Sequence, residues 1–166
     1  MDRIMKRVFI IMVVLLFPIV GTGQAKQVND ILDKYEKKKN VESILISPAL
    51  LQLAGGSNVD ITTNELLSKI SQLRILNIKS SAMENGVPLS KLLREDLDQL
   101  IEKEKLNRII RVQDNDELLE MFITQSTKGV LLFIASGSKE FSVISIFGEI
   151  DKSVINAAIS GEIKVK

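Results

Sequence analysis

The run Val130-Leu131-Leu132-Phe133-Ile134-Ala135 has no polar residue, and it constrains the fold more than any other feature of the chain. It has the length of a strand, and with no side turned to water it must be a central strand covered on both faces. Gly137-Ser138-Lys139 follows as a turn, and Phe141 to Phe147 returns as an antiparallel partner. A sheet is therefore required, with cover on each side of it.

The cover is also legible. From Pro88 onward, Leu89, Leu92, Leu93, Leu97, Leu100 and Ile101 form a helical stripe, with Arg94, Glu95, Asp98, Glu102 and Lys103 opposite. Arg94 and Asp98 stand at i,i+4, a pair worth a few tenths of a kcal/mol. Val28, Ile31, Leu32 and Tyr35 give Lys26 to Lys38 the same periodicity, and Asp151 caps a last helix through Ile159. Val41 to Ser47 reads as a strand. Pro48 opens a short helix ended by Gly55-Gly56, and Ser57 to Asp60 is a polar loop. Thr63 is placed to cap a helix over Glu65 to Ile70. Leu73 to Lys79 reads as a strand whose imperfect alternation suggests a bulge. Ser81 to Gly86 is turn-like, Arg108 to Val112 is a strand, and Asp114-Asn115-Asp116 is a turn. Leu118 to Thr124 satisfies both periods; its shortness and the turn at Thr127-Lys128-Gly129 favour a strand. The fold class expected is α+β: a mixed sheet of about five or six strands ending in an antiparallel meander, with helices packed on it.

The N-terminus reads differently. Arg3, Lys6 and Arg7 precede the 13 apolar-textured residues Val8 to Val20, and Gly21-Thr22-Gly23-Gln24-Ala25 follows. A basic start, a short apolar core and a small-residue end are the parts of a secretory signal peptide. Cleavage fits after Gly23 or after Ala25. The apolar run falls short of the roughly 20 residues that span a bilayer, so membrane contact is expected only if the segment stays uncleaved. The domains expected are a signal peptide, residues 1–25, and a single α+β domain, residues 26–166. The first 25 residues hold three basic and one acidic residue, leaving 19 basic and 20 acidic of the 22 and 21 in the chain. A net charge of −1 gives no electrostatic reason to bind nucleic acid. The triplet Lys37-Lys38-Lys39 suits a helix C-terminal end.

The sequence holds no Cys and no His, which excludes disulfides, thiolate metal sites and the usual general base. Four other clusters bear on chemistry. Asp114-Asn115-Asp116-Glu117 would be a calcium loop only with Gly and Glu where Leu119 and Gln125 stand, so it reads as a turn. Glu95, Asp98 and Glu102 alternate with Lys91, Arg94 and Lys103 on a solvated helix face. Ser136-Gly137-Ser138-Lys139 could suggest Ser/Lys catalysis, but it lies between two strands as a hairpin turn. Gly55-Gly56-Ser57 could hold an anion, and reads better as a helix end. No catalytic, cofactor-binding or metal residue is assigned, and no cofactor is expected.

Ser136-Gly137, Glu140-Phe141, Ile144-Ser145 and Gly148-Glu149-Ile150-Asp151 resemble the closing hairpin of a family of small exported bacterial proteins, the domain of unknown function DUF4252. Arg111-Val112-Gln113-Asp114, the Val41 to Ser47 strand with its short helix, and the signal-like start are similar in order and spacing. The resemblance covers most of residues 26 to 158. It implies export to the envelope of a Gram-negative cell and an α+β fold, and it carries over no catalytic residue. Several members are lipoproteins, a route closed to a chain without Cys. The function expected is that of a non-enzymatic, periplasmic envelope protein working by contact with a protein partner. A small-ligand or lipid-binding module is the alternative, and a hydrolase using acids or Ser/Lys is a third reading.

Overall fold

The computed structural model describes residues 23–55, 61–126 and 128–160. Most of the expected signal segment, the loop 57–60 and the last six residues lie outside them. The elements in chain order are α1 (Gln24–Tyr35), β1 (Val41–Ile46), α2 (Pro48–Gly55), α3 (Ile61–Lys69), β2 (Ile70–Lys79), β3 (Met83–Glu84) and β4 (Val87–Pro88). They continue with α4 (Leu89–Lys103), β5 (Asn107–Asp114), β6 (Glu117–Ile123), β7 (Lys128–Ser136), β8 (Glu140–Glu149) and α5 (Lys152–Ser160). Six strands form one sheet in the order β1-β2-β8-β7-β6-β5. The fold is α+β, and β7 is central, as its apolar run requires.

The sheet is not mixed: every pairing is antiparallel. The β-α-β pattern that suggested parallel neighbours has two causes. Between β1 and β2 the two short helices α2 and α3 bring the chain back to the end it left, where Ile46 pairs with Leu73. Across α4, β2 and β5 do run the same way, but β8, β7 and β6 lie between them.

Side chains alternate across the sheet, so the register sorts them into two faces. On the first face Leu76, Ile78, Phe122, Val130, Leu132, Ile134, Phe141, Val143 and Phe147 pack against α1 and α4. Leu93 and Leu97 are fully buried there, so the leucine stripe faces the chain's own sheet. On the second face α3 and α5 cover one end, where Leu73, Leu131, Ile146, Ile150 and Val154 are buried.

Several local expectations shift. The first helix begins at Gln24, with Gly23 as its N-cap, and ends at Tyr35, so the lysine triplet lies in the turn beyond it. There Lys38 pairs with Glu84. α3 starts at Ile61, which places Thr63 inside its first turn instead of at its cap; threonine inside a helix costs only a few tenths of a kcal/mol. β2 starts at Ile70, and its bulge falls between Ile70 and Gln72. The turn-like stretch Ser81 to Gly86 hides the small β3–β4 hairpin, turned by Asn85 and Gly86, both with positive φ. Lys128 and Gly129 belong to β7 and pair with Glu149 and Gly148. Two glycines are required there. A Cβ at Gly129 would lie 1.7 Å from Thr124 Oγ1, and one at Gly148 (φ 145°) would lie 2.1 Å from Lys69 O. The last helix is capped as expected: Ser153 and Val154 donate their backbone N–H groups to Asp151 Oδ1 at 3.0 and 3.1 Å. Lys69 Nζ reaches the other oxygen at 2.6 Å. The Lys69 hydrogen bond, with those from Ser153 and Val154, holds the Asp151 carboxyl well below the usual carboxylate range.

Candidate functional site

Of the residues singled out for chemistry, the 114–117 and 136–139 turns border one groove, and the carboxylates of α4 form their own ion pairs apart from it. Asp114-Asn115-Asp116 turns β5 into β6, with Asn115 at φ 50°. Among the described residues no three carboxylates are grouped to hold a metal ion. Asp98 pairs with Arg94 at 2.9 Å and Glu95 with Lys91 at 4.0 Å, on the outer side of α4. Ser138 and Lys139 are exposed at the β7–β8 turn, which Gly137 N–H closes onto Glu140 O at 3.0 Å. Gly56 and Ser57 lie outside the described residues. Nothing brings a nucleophile, a base and an oxyanion donor together among these side chains.

Two buried charges escaped the sequence reading. Arg74, only 5% exposed, points from β2 under α1. Its Nη1 donates to Asn29 Oδ1 at 2.8 Å and Asp33 Oδ1 at 2.7 Å, and its Nη2 to Glu36 Oε2 at 2.9 Å. Glu120 of β6 is buried on the same face. Arg94 Nη2 stands 2.7 Å from its Oε1 as an ion pair, although no N–H of the described residues is aligned on that oxygen; Arg108 donates to Oε2 at 3.3 Å. A third tie joins the helices themselves: Tyr35 O–H and Lys34 Nζ both donate to Asp96 Oδ2, at 2.7 and 2.8 Å. Burial, then the bond to Asp96, pushes the Tyr35 phenol well above its ordinary range. Burial alone would raise Asp96; the bonds from Lys34 and Tyr35 outweigh it and hold the carboxyl low. Each of these groups is answered by a neighbour within the chain, so each serves to hold α1 or α4 in place.

What remains open is the second face of the sheet. Its middle row runs across all six strands in register: Ile44, Ile75, Ile144, Phe133, Met121 and Ile110. Helices α3 and α5 cover the row beside it and leave this one half-bare. Ile44 is 46% exposed, Ile75, Ile144, Phe133 and Ile110 are half-buried, and only Met121 is sealed. The next row outward reads Glu42, Asn77, Ser142, Ala135, Leu119 and Val112. It is polar at the β1 end and apolar at the β5 end, where Leu119 and Val112 are 40% and 53% exposed.

At that end the bare face meets a groove of about 420 Å³ between the β5–β6 and β7–β8 turns. Val112, Leu119 and Ala135 line it, with Asp114, Glu117 and Glu140 also on its wall. None of the three carboxylates forms an ion pair with a described residue, whereas most other acidic side chains of the sheet and helices do. The site is thus an apolar strip with an acidic rim. It suits a segment that carries both apolar and basic side chains. Of this site the sequence announced the turn carboxylates and the strands, but not that cover would stop short of them.

No helix among the described residues is long and apolar enough to cross a membrane. No curated protein and no solved structure matches the chain. One family model does match, over residues 35–158, from the end of α1 to the end of α5. The chain therefore belongs to the family of the domain of unknown function DUF4252.

Proposed function

We propose that the chain is an exported envelope protein that works without catalysis, by binding a protein partner on the open half of its sheet. The observation that carries this reading is the groove beside Val112 and Leu119, where exposed apolar side chains adjoin three carboxylates without an ion-pair partner among the described residues. Exposed apolar side chains rimmed by charge are the kind of surface that serves as an interaction site. The partner segment would place apolar side chains on Leu119 and Val112 and a Lys or Arg against Asp114, Glu117 or Glu140. Export rests on the basic, apolar and small-residue order of residues 1–25. Cleavage after Gly23 is the better of the two sites. It leaves α1 entire, whereas cleavage after Ala25 would remove Gln24, whose Nε2 donates to Glu104 O at 2.6 Å.

The test is native mass spectrometry on protein purified gently from the envelope, alongside the denatured mass. The expected result is a chain beginning at Gln24 and carrying a protein-sized increment. That increment disappears when Asp114, Glu117 and Glu140 are all changed to Lys. A lipid-sized increment would turn the reading into the ligand-binding one. An increment of any mass other than the chain's own that survives the triple change would move the partner contact elsewhere on the molecule.

A further inference from the structure

The two edges of the sheet are not alike. β5 is an edge guarded in the usual ways: a bulge between Arg108 and Ile110 bends it, and Arg108, Arg111 and Asp114 place charges along it. Its Arg111 also donates to Gln113 Oε1 at 3.0 Å, along the same strand. β1 has no such guard. Its six residues pair with β2 in unbroken register, it carries one charge, Glu42, and it is exposed from Glu42 to Leu45. Among the described residues, Glu42 to Ile46 form no backbone hydrogen bonds other than those to β2. Among the described residues, four of the nine exposed large hydrophobic side chains fall between residues 44 and 53: Ile44, Leu45, Leu50 and Leu53. An open, unbulged apolar edge is a template for another strand.

From this asymmetry we infer that β1 pairs with β1 of a second copy of this chain, antiparallel about a two-fold axis at Ile44. A second copy suits this edge for three reasons. A symmetric contact needs only that the strand complement itself, whereas β1 against β5 of the next copy would grow a filament, and the bulge and arginines of β5 oppose that. A two-fold perpendicular to the sheet keeps each face continuous, so paired residues must share a face. Of the registers that do so, the one at Ile44 sets Ile44 against its own copy, Ser43 against Leu45 and Glu42 against Ile46. It keeps the two Glu42 carboxylates at opposite ends of the ladder. It also joins the middle rows of the two second faces, so Ile44 ceases to be an exposed terminus and becomes the centre of one apolar row across twelve strands. The proposal is independent of the partner-binding reading, which concerns the β5 end of the sheet.

The absence of Cys makes the register directly testable. Ile44→Cys introduces the sole thiol of the chain. Directly opposed Cβ atoms across antiparallel strands lie about 4.5–5.5 Å apart, close enough for a disulfide after a small adjustment. The experiment uses protein purified from the cells that export it. Sedimentation velocity up to about 100 μM measures association, and mild oxidation of the Ile44→Cys and Ser43→Cys variants follows. Expected are a dimer, rapid cross-linking of the Ile44→Cys protein, and little for Ser43→Cys, whose thiol would face Leu45 of the other copy. Ile44→Lys puts like charges opposite each other and should weaken the dimer by at least about tenfold while its circular dichroism stays unchanged. A chain monomeric at every concentration overturns the proposal. So does a dimer indifferent to Ile44→Lys, or one that cross-links as readily through residue 43.

Discussion

The two faces of one sheet are treated in opposite ways. The first is sealed by α1 and α4 over its four central strands, where even the charges of Arg74 and Glu120 are enclosed and ion-paired. The second is sealed only where α3 and α5 rest, and its remaining apolar side chains stand half in water. Hydrophobic burial on the first face supplies most of the stability, since each sealed side chain contributes its full transfer free energy and its packing contacts. The second face retains apolar area that folding leaves unused and a partner could cover. On the proposed function, stability and binding are divided between opposite sides of the same strands.

The largest expected effect tests that division directly. Leu97→Ala removes a fully buried side chain from the sealed face and should cost about 2–5 kcal/mol. Ile144→Ala removes a similar volume from the middle of the open face and should cost roughly 1 kcal/mol, because its site is already half solvated. Urea denaturation of the two variants decides the matter. Equal losses would mean that the open face is as much a part of the core as the sealed one.

The second effect is smaller and opposite in sign. Ser145 of β8 points into the sealed face between Arg74 and Leu132, is wholly buried, and its hydroxyl has no hydrogen-bond partner among the described residues. A buried hydroxyl without a partner bears its desolvation cost uncompensated. Ser145→Ala should therefore raise stability by about 1 kcal/mol. A loss on the same scale would show that the oxygen is bonded after all, and that the sealed face is less dry than its packing suggests.

Much of this arrangement was legible in the residues, and the reason it stopped where it did is physical. The uninterrupted Val130 to Ala135 run located the central strand, but the double cover it implied stops at Leu131: Phe133 and Ala135 stand half-buried on the open face. The leucine stripe likewise located α4. β2 was harder: in Leu73-Arg74-Ile75-Leu76 the alternation fails because Arg74 faces inward, held by α1 residues some 40 positions earlier. A bulge was expected from that irregularity, and one exists, but at the start of the strand. Glu120 is the same case, since its partners Arg94 and Arg108 belong to other elements. The parallel component failed because strand order is a non-local property that a β-α-β pattern does not determine. The open strip was least legible of all: an Ile under a helix and an Ile in water are the same letter, and Asp114, Glu117 and Glu140 look like ordinary turn residues until the hairpins bring them to one groove.

The smallest effect concerns pH and the seam between the two covering helices. Asp96 is held below its ordinary value of 3.8 in the folded chain, with Lys34 and Tyr35 outweighing burial. A carboxyl whose folded value is depressed contributes its stability in full above the unfolded value and loses it as pH falls through the folded one. The contribution is therefore constant from neutrality down to about pH 4 and fades below it. The pair is partly exposed and screened by salt, so the contribution is less than about 1 kcal/mol. Thermal melts below about pH 4 should fall less steeply in Asp96→Asn than in the parent chain, and the difference should shrink as salt is added. Because Lys34, Tyr35 and Asp96 tie α1 to α4, that acid limb reports on the sealed face alone. Should partner binding weaken in step with it below pH 4, the two faces would be coupled through the sheet, and the division of labour drawn between them would be wrong.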